Sequence, residues 1–157
     1  MLAAVLAAAL IASCGGAEGP RPGANLKVDV IRVVDGDTIL VDLDGREEYV
    51  RYIGVDTPES VKPGERPECF GLESSLFNRR QVEGRTVRLE VGEEERDRFG
   101  RLLAYVFVGN RMVNAELLRA GMAETLTIAP NDRFAKRFGG LEEGARRSSL
   151  GIWRFCE

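Results

Sequence analysis

The sequence predicts an α+β fold, mainly β: a five-stranded closed barrel of the OB type with three helices flanking it. Two observations carry this. Short runs of apolar residues alternate with polar ones between Asp-Gly turns, and further along the chain the period lengthens to that of a helix. The resulting order is three strands, a helix, two strands and two helices, which lets a sheet close on itself with the helices outside.

The first strand is expected from Leu26, where Leu26, Val28 and Val30 alternate with Lys27, Asp29 and Ile31 before Val33-Val34. Asp35-Gly36 is a turn signal, and Ile39, Val41 and Leu43 form the second strand. Asp44-Gly45 turns the chain again into a third strand over Glu48–Val55. From Phe70 the spacing of Leu72, Leu76 and Phe77 predicts a helix that packs through that face and stops at Gly84. Thr86–Val91 and Leu102–Val108 read as strands joined by a charged loop, Gly92–Gly100. Val113, Leu117 and Ala120 mark a short helix ended by Gly121. Phe134, Phe138, Leu141 and Ala145 mark a third, with Leu150, Ile152 and Trp153 as a closing apolar plug.

At 157 residues, 44% hydrophobic and 30% charged, the chain has the make-up of one globular domain with a proper core. The 22 basic and 25 acidic residues give a net charge of −3, which argues against a non-specific nucleic-acid coat, since phosphate affinity comes from Lys and Arg. Histidine is absent. That excludes Ser-His-Asp triads, histidine general acid–base chemistry and histidine-containing zinc sites.

Met1–Ser13 is small and apolar, and no charge appears before Glu18, so this run reads as the core of a signal peptide. It ends in Ile11-Ala12-Ser13-Cys14, which resembles the lipobox of bacterial lipoproteins and makes Cys14 a lipid-attachment site. Residues 14–25, rich in Gly and Pro, are expected to be a tether, and residues 26–157 the domain. The protein is then secreted or at the cell surface, with a lipid anchor as its one membrane contact. Cys69 and Cys156 remain as a pair for an oxidising compartment, either bridged or as two free buried thiols. A bridge closing so long a loop stabilises by roughly 4–5 kcal/mol in the chain-entropy model.

The chemistry concentrates between Val34 and Glu59. A hairpin there returns the chain to its start and brings Asp37 beside Asp56. Adjacent carboxylates repel unless a cation neutralises them, and a hard cation such as Ca²⁺ prefers oxygen ligands. A metal, an arginine (Arg51) and a spare glutamate (Glu59) are the parts of a phosphodiester hydrolase. Taken singly, each has a plain reading. Asp35-Gly36-Asp37-Thr38 is an ordinary turn, Asp56-Thr57-Pro58-Glu59 a strand end, and Arg51 a surface residue. Arg101 could pair with Glu93, Glu94 or Glu95.

Val34-Asp35-Gly36-Asp37-Thr38, Arg51–Glu59 and Asp97–Tyr105, followed by Met112-Val113-Asn114 and Gly151-Ile152-Trp153, resemble the staphylococcal nuclease family over about residues 27 to 153. The resemblance implies that Asp37, Asp56 and the main-chain carbonyl of Thr57 hold one Ca²⁺. It implies that Arg51 and Arg101 bind the scissile phosphate and that Glu59 orients or deprotonates the attacking water. DNA and RNA are the implied substrates, cut with little sequence preference to leave 3′-phosphates, by a monomer. Gly121–Asn131 lacks the aromatic residues that the family's type member places near the nucleotide, and Phe99 stands where tyrosine is common. Two other readings are a non-catalytic OB module that binds nucleic acid or protein, and a surface phosphodiesterase of narrower specificity.

Overall fold

The computed structural model describes residues 19–60 and 64–156. The expected signal peptide and Cys14 lie outside the described residues. Three strands open the domain, β1 (Asn25–Val33), β2 (Thr38–Leu43) and β3 (Arg46–Tyr52), each antiparallel to the next. β5 (Thr86–Arg96) pairs with the other edge of β1, and β6 (Leu102–Val108) pairs with β5. A parallel pairing of β3 with β6, Arg51 opposite Leu103, closes the five strands into a barrel. Closure removes the exposed edges that an open sheet would present. Val30, Ile39, Val41, Val50, Leu89, Leu102 and Val106 are among the buried residues of the interior.

Between β3 and β5 come β4 (Gly54–Asp56) and α1 (Gly71–Val82). After β6 come β7 (Arg111–Met112), α2 (Val113–Arg119), β8 (Glu124–Leu126), α3 (Ala135–Arg147) and the single turn α4 (Ile152–Phe155). The third strand was expected to run unbroken to Val55, but it divides at Gly54. This residue has φ 79°, and a Cβ on it would lie 2.5 Å from the Phe138 ring. Only glycine accepts that turn at that distance. The break sends β4 out of the barrel to pair with β8, and Asp56, Thr57 and Glu59 follow.

Two further expectations are corrected. The charged stretch after Val91 is not a loop: β5 runs to Arg96, whose guanidinium takes both oxygens of Glu48 at 2.8 and 3.0 Å. Also, α1 does not pack through Leu72 and Leu76, which are 54% and 47% exposed. Its buried face is Gly71, Ser74, Asn78 and Val82, with Ser74 Oγ donating to Met122 O at 2.7 Å. Buried Val82, partly buried Phe77 and the hydrogen bonds of Ser74 and Asn78 fix that helix, so the spacing of Leu72 and Leu76 pointed to the wrong side. Of the closing plug, Ile152 is buried while Leu150 is exposed. The expected tether docks before its end, since Gly23 N–H donates to Val91 O at 3.0 Å and Val91 N–H to Ala24 O at 2.9 Å. Among the described residues no helix is long and apolar enough to cross a membrane.

Asn114 ties the halves together inside the core. Its Oδ1 accepts the Val106 N–H at 2.9 Å and its Nδ2 donates to Ile53 O at 2.9 Å. Replacing it with alanine strands two buried main-chain groups, each worth about 1–3 kcal/mol. Urea unfolding of Asn114→Ala should show a loss of about 2–4 kcal/mol, and a loss below about 1 kcal/mol would contradict this role.

Candidate functional site

Hairpin register brings the acidic turn to the arginine. Thr38 lies opposite Arg51, and Tyr52 N–H donates to Asp37 O at 2.9 Å. The turn itself is held from both sides: Val34 N–H donates to Thr38 O at 2.9 Å, and Asp37 N–H to Asp35 Oδ1 at 3.0 Å. α1 fixes it from below through the side chain of Asn78, which donates to Asp35 O at 3.1 Å and accepts the Tyr52 hydroxyl at 2.9 Å. Burial pushes the Tyr52 hydroxyl far above its ordinary pKa, so it stays a neutral donor in that chain of bonds. The break at Gly54 delivers Thr57, whose N–H and hydroxyl both donate to Asp37 Oδ2, at 2.8 and 3.0 Å.

Arg51 joins the acidic clusters. One terminal nitrogen lies 3.0 Å from Asp37 Oδ2 and donates to the carbonyls of Val55 (2.8 Å) and Tyr52 (3.2 Å). The other donates to Asp56 Oδ1 at 2.7 Å. The two carboxylates predicted to meet therefore meet on one guanidinium. Arg101 enters through barrel closure, because it immediately precedes β6, the strand registered against Arg51. The expected rival partners, Glu93 to Glu95, do not hold it. Asp97 does, accepting Arg101 Nε–H at 2.7 Å on one oxygen and the N–H groups of Phe99 and Arg101 on the other, at 2.9 and 3.0 Å. Burial pushes Asp97 up, but these bonds outweigh it and hold the carboxyl below its ordinary range. Among the described residues this leaves the terminal nitrogens of Arg101 for a ligand.

Asp37, Arg51, Asp56, Thr57, Glu59 and Arg101 line one polar cleft of about 190 Å³. Asp35 lines it too. Sequence reasoning left Asp35 within a turn motif, although its pairing with Asp37 across one glycine was a visible signal. Asp97 was also missed, because an aspartate four residues before an arginine becomes its partner only once the turn folds. Beside the polar cleft and sharing Arg51, Asp56 and Arg101 with it lies a larger recess of about 560 Å³. Its walls include Ile53, Leu103, Leu126, Ile128 and Phe99, the last 69% exposed and with Arg98 4.7 Å from its ring centre.

The oxygen-rich donors of the polar cleft fit a hard cation. Asp37 is a buried carboxylate, Asp56 converges with it on Arg51, and among the described residues no nitrogen or sulfur ligand lines the cleft apart from guanidinium nitrogens. Among the described residues no group of three Asp, Glu, His or Cys side chains forms a metal cluster. A cation held here therefore needs main-chain, solvent or substrate oxygens as well, which places it among weak sites.

The model for the family described as "Staphylococcal nuclease homologue" matches residues 49–155. The thermonuclease of Staphylococcus hyicus is 44% identical over 124 residues, covering 79% of this chain and 73% of that protein. The thermonuclease of Staphylococcus intermedius is 42% identical, covering 79% and 74%. The endonuclease YncB of Bacillus subtilis is 37% identical over 130 residues, covering 82% of this chain and 62% of that protein.

Burial pushes Asp37 from 3.8 up to about 6, against the pull of Arg51 and with repulsion from Asp35. Asp56 is raised as well, by desolvation first, with Arg51 opposing and Asp37 and Glu68 adding repulsion. A carboxyl raised on folding binds its proton more tightly in the folded state. Its contribution to stability is thus full below pH 3.8 and is lost as pH rises through about 6. At 1.36 kcal/mol per unit the loss for Asp37 is on the order of 3 kcal/mol. Without divalent cations, wild-type unfolding free energy should fall relative to Asp37→Asn between about pH 4 and 6.5, and parallel pH profiles would contradict the shift.

Proposed function

The chain belongs to the staphylococcal nuclease family, a homologue of endonucleases that hydrolyse phosphodiesters, and on that premise we propose that it is a Ca²⁺-dependent nuclease cutting DNA and RNA with little sequence preference. The observation that carries the reading is the convergence of Asp37, Asp56, Arg51, Glu59 and Arg101 on one cleft. A binding module has no use for a general-base candidate beside paired carboxylates and two guanidiniums. The adjoining apolar recess supports a nucleic-acid substrate, because it can receive a base while its phosphate lies in the polar cleft. Its apolar wall, Ile53, Leu103, Leu126, Ile128 and Phe99, can pack on the face of any base, which favours broad acceptance.

In this mechanism Asp37, Asp56 and the Thr57 carbonyl hold one Ca²⁺, which when bound supplies Lewis acidity and a template for the phosphate. Arg51 and Arg101 hold the scissile phosphate. Charge accumulates on its oxygens in the transition state, and planar guanidiniums bind two oxygens at once where an ammonium binds as a point charge. Asp97 sets the plane of Arg101 through Nε and turns its other nitrogens toward the cleft. Glu59 accepts a hydrogen bond from the attacking water and orients it in line with the leaving 5′-oxygen, so that the phosphate stays on the 3′ side. The chain does this as a monomer.

The reading extends to location. A leader over residues 1–13, lipid attachment at Cys14 and a nuclease domain over residues 26–157 make a protein exported to the cell surface. The Cys69–Cys156 bridge supports this, since disulfides persist in oxidising compartments.

Single- and double-stranded DNA, RNA and a dinucleotide, offered with Ca²⁺, with Mg²⁺ and with chelator, test the function. Cleavage is expected with Ca²⁺ and not with chelator, and turnover should fall about 10²–10³-fold in Arg101→Gly and in Glu59→Ala. Asp37→Ala should raise the Ca²⁺ concentration needed for half activity. Chelator-resistant cleavage, or near-normal turnover in Arg101→Gly, would defeat the assignment, and cleavage of the dinucleotide alone would favour the narrower phosphodiesterase.

A further inference from the structure

Glu59 reaches the cleft on a piece of chain between β4 and α1 that belongs to no helix or strand. Its backbone is nevertheless held at two points by one residue. Glu59 N–H donates to Glu68 Oε2 at 2.9 Å, and Glu68 N–H donates to Glu59 O at 2.9 Å. Two bonds on opposite sides of one residue fix the direction of its Cα–Cβ bond, whereas one bond leaves it free to swing. Gly71 closes in from a third side. A Cβ there would lie 2.4 Å from Glu59 O and 2.9 Å from its carbonyl carbon, so no side chain fits without displacing the Glu59 peptide. Gly71 N–H also donates to Glu68 O at 3.0 Å, which links the two holding residues.

The holding residues are themselves anchored from the far end of the chain. Cys69, next to Glu68, is bonded to Cys156 across a separation of 87 residues. Phe70, next again, stacks on Phe155 with ring centres 5.4 Å apart and planes 10° from parallel. Phe70 also sits at φ 67°, a left-handed conformation that a bulky residue keeps when its surroundings impose it. None of these residues belongs to the barrel core, which is built without them. The bridge therefore fastens the segment that carries Glu59 and leaves the barrel to its own packing.

We propose that Glu68 and the Cys69–Cys156 disulfide are positioning elements for Glu59, so that turnover depends on the bridge being closed even where the fold does not. This rests on the nuclease reading and on the role of Glu59 within it. A displacement of about 1 Å in a group that orients a reactant can lower a rate by up to about a hundredfold. Substrate binding, which falls to Arg51, Arg101 and the recess, has no such dependence.

The test compares wild type with Glu68→Ala, Glu68→Gln, Gly71→Ala and the pair Cys69→Ser/Cys156→Ser, each checked for a folded circular-dichroism spectrum. Steady-state kinetics on DNA and hydrogen exchange of the Glu59 amide are read on the same samples. In Glu68→Ala, Gly71→Ala and the serine pair, kcat should fall about ten- to a hundredfold with KM within about twofold. Exchange of the Glu59 amide should quicken at least about tenfold in Glu68→Ala and the serine pair. Glu68→Gln keeps an oxygen that can accept the Glu59 N–H and should retain most of the turnover. A serine pair that does not fold would overturn the disulfide's part, and Glu68→Ala and Gly71→Ala, which keep the disulfide, then decide the part of Glu68. Full kcat in the folded variants, or a rise in KM with kcat unchanged, would overturn the proposal. Wild type that cuts nothing would defeat the nuclease reading instead, while an unchanged Glu59 amide would defeat the clamp whatever the activity.

Discussion

Two carboxylates that must not be left facing each other organise this molecule. Asp37 is buried, Asp56 stands at the cleft, and one guanidinium, Arg51, lies against both at 3.0 and 2.7 Å. Losing that partner would leave an uncompensated buried charge, a cost of several kcal/mol. Burial outweighs the pull of Arg51 and pushes Asp37 up to about 6. A divalent cation taking both carboxylates would add the charge that one guanidinium does not supply, and hard cations prefer oxygen ligands.

The fold is a means of bringing those groups together from distant parts of the chain. The β2–β3 register sets Asp37 against Arg51 and Tyr52, the glycine break at Gly54 throws Asp56 and Thr57 back across them, and the parallel closure of β3 on β6 adds Arg101. Each is a backbone constraint and needs no contribution from the substrate. Asn78, buried on α1, then ties the acidic turn to the Tyr52 hydroxyl, so that the helix serves the site as well as the core. Rigid elements hold the carboxylates and Arg51, whereas Glu59 depends on a clamp outside the barrel. That division separates binding from turnover.

Much of the barrel was legible because period-two alternation and Asp-Gly turns are local signals, and the β2–β3 hairpin sets Asp37 beside Arg51, whereas Asp56 reaches them only through the break at Gly54. What escaped was non-local or polar. Leu72 and Leu76 mark an apolar stripe on α1 that stays exposed, while Val82 and Phe77 pack on the core and Ser74 and Asn78 bond to Met122, Asp35 and Tyr52 on other elements. The run after Val91 looked like a loop because its partners are distant in sequence, Glu48 for the Arg96 guanidinium and Asn131 Oδ1 for the Glu94 main-chain N–H. Arg101 was recognisable, but its holder Asp97 was not, since their approach depends on a turn that hydrogen bonds within Asp97–Arg101 create.

The most direct test of the central claim is isothermal titration of Ca²⁺ into the protein without substrate, at pH 6 and pH 8, in buffers of different ionisation enthalpy. If Asp37 and Asp56 together take the cation, binding must displace the proton that Asp37 holds near pH 6. About half a proton should be released at pH 6 and almost none at pH 8, with weaker affinity at the lower pH. Binding with no proton release at either pH, or no binding where the enzyme is active with Ca²⁺, would contradict the claim that this carboxylate pair is the cation's seat.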